Sequence, residues 1–247
     1  MTGEIGKDSV RRIGMLTPSS NTVLEPMTNA MLAGRSDVSV HFARFRVTEI
    51  SLRKEALGQF DDAALLEAAR LLADAKVHAI AWNGTSGGWL GLDADRALCR
   101  RIEAETGIPA TTSTLALAEA LRLTGARSVG WVTPYLDEIQ ARIVDTFAAA
   151  GFPCRGDRHL RDRGNFSFSL IAPELLAQMA REVARERPDA IAIFCTNLRA
   201  AHLAAALERE LGLPIYDTIA TALWKSLRLA GVAPSGVTGW GSLFEIG

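Results

Sequence analysis

Along the chain, short apolar runs bounded by turn residues alternate with longer stretches in which apolar positions recur every three to four residues. The short runs predict strands at Arg12 to Leu16, Val38 to Arg46, Ala79 to Trp82, Arg127 to Val132 and Ala190 to Phe194, with weaker signals at Pro109 to Thr111 and Pro214 to Tyr216. Apolar residues at successive positions mark strands covered on both faces, as in a parallel sheet. The longer stretches predict crossover helices. Asp61 to Lys76 places Ala64, Leu65, Ala68, Leu71 and Leu72 on one face, and Pro173 to Arg187 does the same with Leu175, Leu176, Met179 and Val183. Ala94 to Glu105 reads as a further helix, carrying Cys99 beside Leu98 and Ile102. Strand and helix in alternation over the whole length indicate βαβ units.

The pattern is also duplicated. Gly14-Met-Leu-Thr-Pro-Ser19 returns as Gly130-Trp-Val-Thr-Pro-Tyr135, 116 residues later. His78-Ala-Ile-Ala-Trp-Asn-Gly-Thr85 returns as Asp189-Ala-Ile-Ala-Ile-Phe-Cys-Thr196 at an offset of 111, and Gly107-Ile-Pro returns as Gly212-Leu-Pro at 105. Three matches in one order predict two similar α/β lobes, each a parallel four-stranded sheet flanked by helices, related by pseudo-twofold symmetry. The N-terminal lobe is expected over residues 1–115, completed by 225–247, and the C-terminal lobe over 116–224. Ligands of open parallel sheets sit beyond the carboxyl ends of the strands, so a shared cleft is expected there.

Composition narrows the function. With 27 Lys and Arg against 28 Asp and Glu, a net charge of −1 and 48% hydrophobic residues, the chain is neither disordered nor a basic nucleic-acid clamp. No apolar run approaches the roughly 18 residues of a membrane helix, and the opening MTGEIGKDSVRR has no apolar core, so a soluble cytoplasmic protein with no membrane partner is expected. The three cysteines, Cys99, Cys154 and Cys195, form no CxxC spacing, which argues against a disulfide framework or zinc site. Neither GxGxxG nor GxxxxGK[ST] occurs. Lys7, Lys54, Lys76 and Lys225 stand in charged or amphipathic surroundings, unlike a buried Schiff-base lysine. His41, His78, His159 and His202 show no metal-ligand spacing. No cofactor and no metal are expected.

The duplicated positions point to the chemistry. Aligning Thr85 with Thr196 places Gly84 opposite Cys195, so the cleft presents a thiol on one wall and bare backbone on the other. Two thiols facing each other across a carbon can remove a proton on one side and return it on the other, whereas one thiol serves a single face. A cysteine between a strand and a following helix is expected to gain thiolate character from nearby N–H groups, although it also reads as a small buried hydrophobe. Cys99 and Cys154, the latter in an expected loop, read as structural. Thr17-Pro-Ser-Ser-Asn21, Gly84-Thr-Ser-Gly-Gly88 and Thr133-Pro-Tyr135 bring hydroxyls and successive backbone N–H groups to the strand ends, a setting for carboxylate or enolate oxygens. A small carboxylic or dicarboxylic acid is the expected ligand. Ser19, Ser20, Asn21 and Asp137 also read as helix caps, and Gly84-Thr-Ser-Gly-Gly88 also fits the GxSxG elbow of serine hydrolases, with His202 downstream.

Val132-Thr-Pro-Tyr135, Cys195-Thr-Asn-Leu-Arg199 and Thr17-Pro-Ser-Ser-Asn21 resemble the aspartate/glutamate racemase superfamily, and within it the branch of maleate cis-trans isomerases and arylmalonate decarboxylases. The resemblance runs from about Arg12 to Gly241. It implies a two-lobed, cofactor-independent enzyme, and by analogy a homo-oligomer. Racemases and isomerases of this kind place a cysteine in each lobe; here the first motif reads Gly84-Thr85-Ser86-Gly87 and only Cys195 remains, as in the decarboxylases. The resemblance further implies that Thr85, Ser86 and Tyr135, with backbone N–H groups near Ser86 and Thr196, hold carboxylate oxygens that become an enediolate. Asn21 matches a carboxylate-binding Asn of the isomerases, and Asn165 a second. Thr196-Asn197 stands where the decarboxylases carry glycines, so the chain combines both patterns. The implied activity is decarboxylation of a small malonate-like acid with Cys195 as the catalytic proton donor. The alternatives are an isomerase or racemase of a small dicarboxylate, and a non-catalytic acid-binding protein.

Overall fold

A computed structural model describes residues 10–47 and 62–247. The expected helix start at Asp61, and Lys7 and Lys54, lie outside the described residues. The first half runs β1 (Arg11–Pro18), α1 (Leu24–Met31), β2 (Val38–Phe45), α2 (Asp62–Asp74), β3 (Ala79–Trp82), α3 (Gly87–Leu90), α4 (Leu92–Thr106), β4 (Ala110–Thr112) and α5 (Ser113–Leu123). The second half runs β5 (Val129–Thr133), α6 (Asp137–Ala149), β6 (Cys154–His159), α7 (Asn165–Phe168), α8 (Pro173–Ala184), β7 (Ala190–Ile193), a 3₁₀ turn at Ala201–Leu203, α9 (Ala204–Leu211), β8 (Ile215–Asp217) and α10 (Thr218–Leu229). The strands form two four-stranded sheets in the orders β2-β1-β3-β4 and β6-β5-β7-β8, and every pairing is parallel. The duplication in the sequence is thus a duplication of topology.

Burial explains which signals were strong. All residues of the inner strands β3, β5 and β7 are buried, which produces uninterrupted apolar runs. The edge strand β6, Cys-Arg-Gly-Asp-Arg-His, has no fully buried residue, and its register against β5 shifts near Gly156, whose φ is +83°. Such a polar, irregular edge has no hydrophobic signature. Cys154, expected in a loop, instead opens this strand. The helix faces also need correction. α2 buries Leu65, Ala68, Ala69 and Leu72, an i, i+3, i+4, i+7 stripe, whereas Leu71 falls beside it and is 59% exposed. In α8, Leu176, Met179, Ala180 and Val183 are buried and Leu175 is exposed for the same reason.

Helices from each half pack against the other. α10 follows β8 of the second sheet yet packs on β3 and β4 of the first and along α5, where the Thr221 hydroxyl donates to the Ser113 carbonyl at 3.1 Å. On the other side, α3 lies against α6. Gly88 permits this approach, because a Cβ there would stand 3.1 Å from Ile143 of α6 and 2.7 Å from the Phe194 ring.

Candidate active site

In each sheet the strand order turns back at the inner pair, β1 with β3 and β5 with β7. At such a point the connections leave toward opposite faces and a crevice opens beyond the strand ends. The residues just after these four strands meet there. Asn21 follows β1, Gly84, Thr85 and Ser86 follow β3, Tyr135 follows β5, and Cys195 and Thr196 follow β7.

Gly84, Thr85, Ser86, Tyr135, Asn165, Cys195 and Thr196 line one cavity of about 20 Å³, room for roughly one water molecule. Pro18, Val47, Trp82 and Trp89 complete it, so no charged side chain borders it among the described residues. Cys195 is 2% exposed, closed off from bulk solvent yet on the cavity wall between the lobes. Its sulfur accepts from the Asn197 N–H at 3.4 Å and is hydrogen-bonded to the Tyr135 hydroxyl, which also shares a 2.6 Å bond with Thr85. A chain of three polar groups therefore crosses the interface from Thr85 through Tyr135 to Cys195. The backbone N–H groups of Thr85, Ser86 and Thr196 have no partner among the described residues, so donors remain for ligand oxygens.

The thiol departs from one expectation. Cys195 leads into a turn, not straight into a helix, and burial pushes its pKa up to about 12. The Tyr135 and Asn197 hydrogen bonds pull the other way and are outweighed, while Asp217 and Asp162 raise it further. Thiolate character, expected from the strand-to-helix setting, is replaced by a thiol that keeps its proton. Burial and the facing sulfur likewise hold the Tyr135 phenol protonated, well above the usual range.

Asn21 stands behind the cavity. Its amide donates to the Thr196 carbonyl at 2.8 Å and its oxygen accepts from the N–H groups of Val23 and Leu24, each at 2.9 Å, so it caps α1 and ties the lobes. Asn165 lines the cavity and donates to the Ser20 hydroxyl at 2.9 Å. Ser86 accepts from Trp82 Nε1 at 3.3 Å and bonds no histidine among the described residues, which removes the support for a serine-hydrolase elbow.

Two residues to which the sequence assigned no role at the site matter here. Asn197, fully buried, accepts from the Thr22 and Val23 N–H groups at 3.0 and 3.3 Å and donates to the Asn165 carbonyl at 2.5 Å. Trp82 forms part of the cavity wall. Both signals were available in the repeat, where Asn197 aligns with Ser86 and Trp82 with Ile193.

A buried carboxyl stands behind the thiol. Asp217 caps α10 by accepting from the Ile219 and Ala220 N–H groups at 2.8 and 3.2 Å, while its second oxygen has no partner among the described residues. Burial dominates and raises its pKa from 3.8 to about 7. Between pH 4 and 7 the unfolded chain releases this proton while the folded chain retains it, so stability falls as pH rises through that window. Asp217→Asn keeps the cap and removes the titration. Measured by urea unfolding, its stability relative to wild type should improve by about 2–4 kcal/mol between pH 4 and pH 8; a constant difference would contradict this burial effect.

Two parallel four-stranded sheets meeting at an uncharged cavity with a single thiol define the class: a two-lobed α/β protein whose candidate site lies between the lobes. Residues 13–244 match the model of the arylmalonate decarboxylase family, and the chain belongs to that family. It is 26% identical over 185 residues to an arylmalonate decarboxylase of Bordetella bronchiseptica, covering 74% of this chain and 77% of that one. It is 28% identical over 241 residues to a maleate isomerase of Pseudomonas putida, covering 90% and 94%. Among solved structures, a cysteine-to-serine mutant of the Nocardia farcinica maleate cis-trans isomerase with a covalently bound succinylcysteine intermediate superposes with a TM-score of 0.86 at 26% identity, covering 95% of this chain and 98% of that one. Lyases and isomerases thus stand side by side as relatives of this enzyme. Among the described residues no group of three or more His, Cys, Asp and Glu could hold a metal ion, and no helix is long and apolar enough to cross a membrane.

Proposed function

We propose that the protein decarboxylates a small malonate-type diacid, with Cys195 delivering a proton to one face of the resulting enediolate. The observation that carries this reading is the asymmetry of the cavity: a protonated, buried thiol on one wall and Gly84 on the other. The cavity, with room for roughly one water molecule, must widen to admit a diacid, and one carboxylate then sits against the Thr85 and Tyr135 hydroxyls and the N–H groups of Thr85, Ser86 and Thr196. The second lies toward Trp82, Trp89, Pro18 and Val47, where weak solvation favours its loss as neutral CO₂. The breaking C–C bond leaves its electron pair in the retained carboxylate, which becomes an enediolate, and each well-placed donor stabilises the new charge by about 3 kcal/mol. The Cys195 S–H then gives its proton to carbon, and the thiolate is reprotonated from water before the next cycle.

The similarity to maleate isomerases supports a second reading, cis-trans isomerisation of an unsaturated dicarboxylate, with the Thr196-Asn197 pattern in its favour. Double-bond rotation after thiol addition, which the isomerase resemblance implies, needs a nucleophile on the first wall, and Gly84 supplies none. Proton NMR in D₂O with maleate and a series of alkyl- and arylmalonates separates the two. Loss of CO₂ with a single deuterium at the α-carbon is expected; formation of fumarate from maleate without malonate turnover would transfer the protein to the isomerases.

A further inference from the structure

Side chains two residues apart along a strand point to the same side. Trp82 and residue 84 form such a pair at the end of β3, and Ile193 and Cys195 form the equivalent pair at the end of β7. The halves divide this space differently: the second holds a medium-sized aliphatic chain and a thiol, the first an indole and no side chain at all. The partition is tight. A Cβ on Gly84 would stand 2.0 Å from Cζ2 and 2.3 Å from Cε2 of the Trp82 ring, deep inside van der Waals contact. The ring is 1% exposed and is held by Phe45, 5.0 Å away between centroids, and by the Nε1–H bond to Ser86. Trp82 and Ser86 also border a separate cavity of about 220 Å³, lined besides by Leu65, Leu98, Asp95 and Arg101.

We propose that Trp82 is the specificity-determining residue that keeps this site one-sided: its indole occupies the place of a position-84 side chain, so that a second thiol cannot be installed by changing Gly84 alone. This rests on the reading that Cys195 delivers the proton, and it adds to that reading what determines the opposite wall. Replacing Trp82 with Ile would make the first wall match the Ile193, Cys195 arrangement and free the volume a new thiol needs.

The test compares wild type, Gly84→Cys, Trp82→Ile and the double variant by melting temperature and by the enantiomeric ratio of the acid formed from a prochiral substituted malonate. Gly84→Cys alone should lose about 5–10 °C and still give one enantiomer. The double variant should recover most of that loss relative to Trp82→Ile, and protonation from both walls should give both enantiomers. A Gly84→Cys protein that melts with wild type and yields both enantiomers overturns the proposal, as does a double variant that melts no higher than additivity predicts. The melting temperatures do not depend on catalysis. Failure of the decarboxylase reading would instead appear as absent malonate turnover in wild type while the coupling between positions 82 and 84 persists.

Discussion

Cys195→Ala should lower turnover about 10³-fold or more while the protein still folds and still binds diacid, because the change removes the proposed proton donor and leaves the proposed oxygen-binding hydroxyls and N–H groups in place. Cys195→Ser should fall nearly as far, since an alkyl hydroxyl gives up its proton far less readily than a thiol. Cys99→Ala, a substitution in α4 away from the cavity lining, should leave turnover close to wild type. Wild-type activity carries a pH signature too. Burial holds the Cys195 proton up to about 12, so no loss of rate from deprotonation of this thiol is expected between pH 7 and 10, where an ordinary thiol near 9 would already have ionised. Product analysis by NMR across that range measures both points. Turnover in Cys195→Ala within tenfold of wild type would remove the thiol from the mechanism.

Asn197→Ala should produce the largest loss of stability of any single change at the interface. Its side chain closes three hydrogen bonds between segments far apart in sequence: the Thr22 and Val23 N–H groups of the first half, and the Asn165 carbonyl of the second. Truncation leaves the Thr22 N–H and the Asn165 carbonyl unpaired, at about 1–3 kcal/mol each, while the Val23 N–H keeps its shorter bond to Asn21, so a total loss of about 2–5 kcal/mol and a fall in melting temperature of about 10 °C are expected. Asn165 loses a support, so KM for the diacid should rise along with the instability. A melting temperature within 2 °C of wild type would show that these bonds are replaced by water or by relaxation of the turn.

Much of this arrangement was legible beforehand. Seven of the eight strands gave a signal, clear for the apolar runs of β3, β5 and β7, whose residues are all buried, and weak for the three-residue strands β4 and β8. β6 gave none, because an edge strand with half-exposed residues places no demand for apolar residues at Arg155, Asp157 and Arg158. The repeat pointed to Cys195, Gly84, Thr85 and Ser86 as facing one another, and these residues do share a cavity. Asn21 was legible as a polar residue after β1, but whether its amide reaches a ligand or the Thr196 carbonyl depends on where the other lobe's backbone comes to rest.

Two kinds of information therefore separate. The order of residues along the chain determined the local patterns: hydrophobic periods, their repetition, and the exchange of one cysteine for glycine, since each of these is set by near neighbours or by alignment of the chain with itself. Only the tertiary structure decided the state of the thiol, the role of Asn197 and the occupation of the Gly84 wall by Trp82. Desolvation, hydrogen bonding between distant segments and steric exclusion depend on which atoms are packed around a group in three dimensions, and residues more than a hundred positions apart supply many of those atoms.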